Sequence, residues 1–240
     1  FLEEEGIEFR FNAECLGART EDGVTTVTLD CKEGAPEISG SHLLLAVGRI
    51  PNTDDLGLEN TSIETTNRGF IKTDDKLKTN LKGVWALGDC NGKGAFTHTA
   101  YNDFEIVAAN LFDDDPRRVS DRILCYALYT DPSLSHIGMY EHEARDSERN
   151  VLIGYREMSR IARAKERGET TGFIKILVDA DSEEILGATI VAIDGDEIIH
   201  SLLDVMYAEK PYTVISRAVH IHPTISELIP TILQNLEPLE

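Results

Sequence analysis

The stretch Ala218-Val219-His220-Ile221-His222-Pro223-Thr224-Ile225-Ser226-Glu227 places a histidine directly before a proline and a carboxylate five residues further on. Proline biases the residue before it away from helical dihedral angles, so His222 is predicted to be extended. The spacing Thr224-x-x-Glu227 is typical of a capping box, and it predicts a last helix from residue 225 to about 236. His222 is therefore expected on a short loop at a helix N-terminus, with Glu227 one turn inside the helix.

Two interpretations of this loop follow from the residues alone. Imidazole is the side chain whose ordinary pKa lies near neutrality, and a carboxylate on one ring nitrogen determines which nitrogen handles the proton. His222 and Glu227 are therefore a candidate acid–base pair. In the other interpretation, Glu227 is only the capping carboxylate, and His220 and His222 are polar loop residues.

The composition is that of a soluble globular protein with one large or two ordinary domains: 240 residues, of which 41% are hydrophobic and 28% are charged. The formal charge of −20 argues against binding to nucleic acids or to anionic membranes. No run approaches the roughly 18 apolar residues of a transmembrane helix. The cysteines lack Cys-x-x-Cys and Cys-x4-Cys spacing, which favours reduced thiols in the cytoplasm over a disulfide framework or a zinc site. They are Cys15, Cys31, Cys90 and Cys125.

The first half of the chain contains several strand patterns. Residues 6–11 and 24–29 alternate with a period of two, which predicts antiparallel strands. The continuous apolar run 42–47 predicts a strand that is buried on both faces. Residues 84–87 predict a short buried strand that ends at Gly88-Asp89, and ligands of α/β sheets bind at the C-terminal ends of strands.

A helix is predicted from residue 95 to about 111, because apolar residues recur at helical spacing. The amides in the first turn of a helix lack partners within the helix and carry a positive partial charge. The C-terminal half alternates strands and helices: strands at 125–132, 151–155, 173–178 and 185–193, a short helix at 141–148, and an amphipathic helix at 196–209. The third and fourth of these strands predict a hairpin.

Three motifs together resemble the class I pyridine nucleotide-disulfide oxidoreductases, the relatives of dihydrolipoamide dehydrogenase and glutathione reductase. The first is His222-Pro223-Thr224-x-x-Glu227. The second is the eleven-residue stretch from Thr79 to Asp89, which resembles the second FAD fingerprint of the family. The third is Gly48-Arg49-x-Pro-Asn after an apolar run, which resembles the return from the NAD(P) domain to the FAD domain. The stretch 96–103 is similar to the mercuric reductase-like branch.

The resemblance implies an α/β and α+β fold, in which the remnant of NAD(P)- and FAD-binding Rossmann-like domains precedes an α+β dimerisation domain. The implied boundaries are 1–50 for the NAD(P)-binding remnant, 51–118 for the FAD-binding segment and 119–240 for the interface domain. The implied cofactors are FAD and NAD(P)H. The implied partners are a second copy of the chain and a disulfide or related redox acceptor, with no nucleic acid and no membrane.

The resemblance also assigns roles to individual residues. His222 would be the proton acceptor, acting in the active site of the partner subunit, and Glu227 would orient it. Gly48 would lie near the nicotinamide nucleotide, although a glycine that only lets the chain turn explains it equally well. The residues implied at the flavin are Gly88 and Asp89, with Ala95, Phe96, Thr97 and His98 along one edge of the ring.

The family's other motifs are missing from this sequence. It contains neither a Gly-x-Gly-x-x-Gly loop for a cofactor pyrophosphate nor the redox-active Cys-x4-Cys pair. Two functions therefore stay open: part of an oxidoreductase, or a fragment that only folds and dimerises. These 240 residues alone are expected not to reduce a flavin with NAD(P)H.

Two further expectations concern structure. A homodimer is predicted to form through the interface domain, using the apolar sides of the 196–209 helix and of the last helix, which carries Ile229, Ile232 and Leu233. The His222-Pro223 peptide bond is predicted to be cis, on the strength of the motif.

Overall fold

A computed structural model describes residues 1–30 and 34–239, and Cys31 lies outside these residues. The chain divides into two compact units, Phe1–Val119 and Ser120–Glu240. None of the helices among the described residues has the length and apolarity that a transmembrane span requires.

The first unit begins with a three-stranded antiparallel sheet in the order β1-β2-β3, formed by Glu14–Glu21, Val24–Asp30 and Glu37–Gly40. The strand predicted at 24–29 is confirmed as β2, but the strand predicted at 6–11 is wrong. Asp22 and Gly23 both have positive φ, as a tight two-residue hairpin turn requires, and this turn pairs the less apolar β1 with β2. With β3 on the other side of β2, both edges of that strand are occupied.

The buried strand predicted at 42–47 is also wrong. These residues have no strand assignment, and Leu44 and Val47 are 86% and 91% exposed. A buried strand needs neighbours that pair its backbone N–H and C=O groups. Among the described residues of this chain, no strand pairs with 42–47.

The rest of the first unit is loop-rich. The predicted strand at 84–87 is reduced to an isolated bridge between Lys78 and Trp85, and a 3-10 helix follows it at Gly88–Asn91. Another 3-10 turn lies at Leu58–Asn60. The predicted helix is α1, Thr97–Ala108, which continues as a π-helical turn at Ala109–Asp113.

The second unit is built on a six-stranded antiparallel sheet in the order β4-β5-β8-β7-β6-β9. The four predicted strands are confirmed as β4, β6, β7 and β8, and β7 and β8 form the predicted hairpin. The strands are β4 Cys125–Leu128, β5 Ser133–Gly138, β6 Val151–Glu157, β7 Phe173–Asp179, β8 Ile185–Ala192 and β9 Glu237–Pro238.

Short helices cover the sheet. They are α2 Glu141–Asp146, α3 Ala162–Arg167, α4 Gly195–Ile198, α5 His200–Tyr207, α6 Thr213–Ser216 and α7 Ile229–Leu233, with 3-10 turns at Val119–Asp121, Met158–Arg160 and Ser226–Leu228. The predicted 196–209 helix is split in two at Ile199. The last helix begins at Ile229 instead of residue 225, because in a regular α-helix the ring of Pro230 conflicts with the carbonyl four residues earlier, and it ends at Leu233.

The core of the second unit corrects the predicted dimer surface. Ile229, Ile232 and Leu233 of α7 and Leu202 of α5 are at most 3% exposed, because they pack with the sheet residues of the same chain. These side chains fill the core, so they offer no free apolar face to a second copy.

The core also contains a histidine that the sequence analysis did not single out. His136 of β5 stacks on the ring of Tyr140, with 3.9 Å between ring centroids. Its Nε2 lies 3.2 Å from the carbonyl oxygen of Gly138, which can only accept, so Nε2 carries the hydrogen. The hydroxyl of Thr189, 2.9 Å away, then donates to Nδ1. Burial is the main cause that lowers the pKa of His136 below its usual value.

We expect His136 to make the protein less stable in mild acid. The unfolded chain protonates this histidine near pH 6.5, whereas the folded chain resists protonation, so the unfolded state binds more protons below that pH. The free energy of unfolding, measured by urea titration, should fall as pH decreases from 7.5 to 5. His136→Gln should flatten this part of the pH dependence, whereas His42→Gln, at an exposed position, should not. An unchanged slope in His136→Gln would contradict the assignment.

Candidate functional site

The loop before α7 brings His222 and Glu227 together. The Nδ1 of His222 lies 3.0 and 2.9 Å from the two carboxylate oxygens of Glu227. An ionised carboxylate only accepts hydrogen bonds, so Nδ1 carries the hydrogen and Nε2 is left to accept a proton. The His222 side chain is 75% exposed, while that of Glu227 is 16% exposed. The arrangement therefore presents a proton-accepting nitrogen to the outside on a ring that is held from the inside.

Half of the predicted capping box is formed. The backbone N–H of Glu227 donates to Thr224 Oγ1 at 3.2 Å, and the Thr224 hydroxyl donates to the carbonyl oxygen of Ile221 at 2.7 Å. The carboxylate of Glu227 is directed at His222. The backbone of this turn thus follows the capping interpretation, while the side chain has the geometry of an acid–base pair. The His222-Pro223 bond is cis, as predicted, and Asp131-Pro132 is a second cis bond that was not predicted.

In the first unit, a buried carboxylate supports the Gly88-Asp89 turn. Asp103 of α1 accepts hydrogen bonds from the backbone N–H of Gly88 at 2.9 Å and from the side-chain amide of Asn91 at 2.7 Å. Asn91 also donates to the carbonyl oxygen of Ala86 at 3.0 Å. Sequence reasoning missed Asp103 and Asn91. The sequence pattern could have identified Asp103, because an aspartate on the apolar face of a helix is unusual. Asp103 is buried on the same face of α1 as Ile106.

The carboxylate of Asp89 is half exposed and lies 3.8 Å from the guanidinium of Arg49. This contact joins two of the motifs, because Arg49 belongs to the Gly48-Arg49-x-Pro-Asn segment. At that distance, and with both side chains in solvent, the ion pair is weak. The oxygens of Asp89 are therefore available to a hydrogen-bond donor of a ligand. Gly48 has a φ of 108°, and a side chain there would meet no atom within 4 Å, so its backbone is open on that side.

The start of α1 is two residues later than predicted. Ala95 and Phe96 precede the helix, and Thr97 and His98 lie in its first turn. The Thr99 hydroxyl accepts from the N–H of Phe96 at 3.1 Å and donates to its carbonyl at 2.8 Å, which fixes the entry into the helix. The ring of His98 stacks on that of Phe96.

The residues around Asp89 suit a flavin. A flavin's ribityl hydroxyls can donate to the half-exposed Asp89 carboxylate, and the electropositive end of a twelve-residue helix suits the edge of the ring that gains negative charge on reduction. Burial raises the pKa of the neighbouring Cys90 thiol, which donates to the carbonyl of Leu87, so Cys90 is a packing residue. Within the ranges 1–30 and 34–239, no group of three or more His, Cys, Asp or Glu side chains could hold a metal ion.

Comparison with known proteins agrees with these motifs. The family model for pyridine nucleotide-disulphide oxidoreductases matches residues 1–103, and the model for the dimerisation domain of the same family matches residues 125–232. Together they account for both units of the chain.

Individual relatives are similar over most of the chain. Dihydrolipoyl dehydrogenase 2 of Haloarcula marismortui is 34% identical over 95% of this chain and 48% of its own length. The probable pyridine nucleotide-disulfide oxidoreductase RclA of Escherichia coli K12 is 34% identical over 80% of this chain and 44% of its own length.

A solved structure has the same fold. The HOCl-induced flavoprotein disulfide reductase RclA from Escherichia coli superposes with a TM-score of 0.89 and 29% identity, over 97% of this chain and 53% of that one. The predicted fold class is confirmed. The chain spans about half the length of the relatives that it matches.

Proposed function

Because this chain belongs to the pyridine nucleotide-disulphide oxidoreductase family, we propose that the protein carrying it is a flavoenzyme. It passes electrons from NAD(P)H through FAD to a disulfide or a related acceptor. The observation that carries this proposal at the level of side chains is the 2.9 Å contact between His222 and Glu227, on a ring whose other nitrogen is exposed.

Bound FAD would supply the two electrons that a disulfide needs to become two thiols. The two protons of that reaction must come from the protein or from water. The attacking thiol would belong to a redox-active cysteine pair of the kind that the family uses, which these 240 residues do not contain. As its sulfur bonds to one sulfur of the acceptor disulfide and displaces the other, His222 accepts the thiol's proton at Nε2 and returns it to the thiolate that leaves. Glu227 keeps the hydrogen on Nδ1 and balances the positive charge when both ring nitrogens are protonated.

The cofactor-binding role falls to the first unit. Asp89 would accept a hydrogen bond from the ribityl chain of bound FAD, and Gly88, with its positive φ, lets the chain turn just before Asp89. The backbone at Ala95, Phe96, Thr97 and His98 would line the edge of the flavin that gains negative charge on reduction. Gly48 leaves room for the nicotinamide nucleotide to approach the backbone.

A homodimer is part of the proposal, since the second unit matches a dimerisation domain. With the apolar faces of α5 and α7 buried in the core, other apolar side chains of this unit are expected to meet the partner. The exposed candidates are Leu124, Leu128, Tyr129, Tyr155, Tyr207, Val214, Val219 and Ile221.

Flavin retention tests the cofactor half of the proposal. The full-length wild-type protein that contains these residues should purify with the visible absorption spectrum of bound flavin. Asp89→Ala should weaken FAD binding by about 10- to 100-fold, the usual effect of losing a hydrogen bond to a charged group. Asp55→Ala, an exposed acid of the same unit, is the matched control and should bind FAD normally.

The competing function predicts another result. A protein that only folds and dimerises would purify as a colourless dimer, and added FAD would not bind to it. If Asp89→Ala bound FAD with wild-type affinity, Asp89 would not be a flavin-binding residue. The proposed role of His222 would be unaffected by that result.

A further inference from the structure

The segment that carries the proposed base is almost free of packing. We call residues 218–222 the strap. Its two large apolar side chains, Val219 and Ile221, are 98% and 79% exposed, so within one chain no hydrophobic contact holds the strap in place. Its position therefore depends on hydrogen bonds from its two histidines and from its backbone.

His220 makes the first of these hydrogen bonds. Its Nδ1 lies 2.9 Å from the backbone carbonyl oxygen of Ser226, and the side chain is half-buried. A carbonyl oxygen can only accept, so Nδ1 of His220 carries the hydrogen. The same carbonyl oxygen accepts the backbone N–H of Ile229, the first residue of α7.

This carbonyl is a rigid anchor. Ile229 is fully buried in the core of the second unit, and Ile225, directly before Ser226, is buried as well. The turn that bears Ser226 and Glu227 is therefore held by the core on both sides. His220 connects the exposed strap to this anchored turn.

The two histidines act on the same turn from neighbouring positions. His220 and His222 lie two residues apart, and both reach back to the turn at residues 226–227. Each uses Nδ1 as the donor. If the first contact is lost, the strap keeps the second contact, the Thr224–Ile221 hydrogen bond and, at its start, the hydrogen bond from the backbone N–H of Ala218 to Ile215.

We propose that His220 is a positioning residue for His222: its hydrogen bond to Ser226 holds the strap at the distance where Glu227 keeps the His222 ring in the Nδ1–H tautomer. The inference rests on the proposed role of His222 as the acid–base group. It concerns only groups of this chain, so it can be tested both with and without the redox reaction.

Two variants separate the hydrogen bond from the mere presence of a polar side chain. Asparagine places an N–H donor near the position of the imidazole Nδ1, whereas glutamine extends its donor one bond further. His220→Asn should therefore preserve the contact with Ser226, and His220→Gln should lose it. Both are neutral and polar, so differences between them report on geometry.

The first readout is the ring of His222, observed by 15N NMR of the 240-residue protein. The nitrogen chemical shifts distinguish the two neutral tautomers. In wild type and His220→Asn the Nδ1–H tautomer should predominate, whereas His220→Gln should show a mixture. An unchanged Nδ1–H tautomer in His220→Gln would overturn the proposal.

The second readout is turnover of the disulfide dye 5,5′-dithiobis(2-nitrobenzoate) by the flavoenzyme. His220→Gln should lower kcat by roughly tenfold, in the range of one lost hydrogen bond, with KM and flavin reduction unchanged. His220→Asn should recover most of that loss. If His222→Ala impairs turnover and His220→Gln does not, His220 has no positioning role. If neither variant impairs it, the proposed role of His222 fails instead.

Discussion

Replacing His222 with alanine is expected to slow disulfide reduction by about 10²–10⁴-fold, the usual effect of losing an acid–base group, while reduction of the flavin by NAD(P)H continues. A thiol with its ordinary pKa of about 8.5 is mostly protonated at neutral pH, so it attacks a disulfide slowly unless a base removes its proton. The exposed ring of His222 fits this proposed role, because Glu227 occupies Nδ1 and leaves Nε2 to accept the proton.

The two half-reactions are measured separately. Stopped-flow absorbance follows flavin reduction by NAD(P)H, and steady-state turnover follows the disulfide. Glu227→Gln should slow disulfide turnover less than His222→Ala, because the ring remains and only its charge partner is lost. His200→Ala, at an exposed position of α5, serves as the histidine control and should behave as wild type. Wild-type turnover by His222→Ala would show that His222 is only a loop residue.

The second large effect is expected on stability. Gly172, just before β7, has a φ of 109°, and a Cβ built there overlaps the carbonyl oxygen of Val191 and lies 2.7 Å from its carbonyl carbon. Val191 belongs to β8 and pairs with Phe173, so its backbone cannot retreat without opening the hairpin. Gly172→Ala should therefore lower the free energy of unfolding by about 3–5 kcal/mol, the combined effect of backbone strain and overpacking.

A second glycine separates the two contributions. Gly168, at the end of α3, also has a positive φ of 76°, but a Cβ there meets no atom within 4 Å. Gly168→Ala should cost only the strain of a left-handed residue, about 1–2 kcal/mol. Urea unfolding followed by circular dichroism measures both variants. Equal losses for the two variants would mean that the contact between Gly172 and Val191 is unimportant.

The local sequence pattern correctly predicted several strands of the six-stranded sheet in the second unit. Strands β6, β7 and β8 are runs of apolar and β-branched residues, and each pairs with a neighbour in the same unit. β5 was missed because its buried side chains include Ser135 and His136, which are polar. Their hydrogen-bond partners, Gly195 and Thr189, lie more than fifty residues further along the chain, so no local pattern identifies them.

Two strands were predicted that the structure does not form, and here too distant pairing partners decided the outcome. The run at 42–47 has the composition of a buried strand, yet it is exposed, because apolar composition does not provide a neighbouring strand. Residues 6–11 alternate correctly, but the tight turn at Asp22-Gly23 joins β2 to a different segment. In both places the pairing partner decided the structure.

The sequence alone determined the family, the fold class and the spacing that allows His222 and Glu227 to meet, because a proline and a capping turn act over only a few residues. Tertiary structure decided the rest. It placed the carboxylate of Glu227 on the ring of His222, buried Asp103 beneath the Gly88-Asp89 turn, and enclosed the apolar faces of α5 and α7 in the core. The physical reason is that hydrogen bonding and burial depend on which distant groups become neighbours, and that is known only once the whole chain has packed.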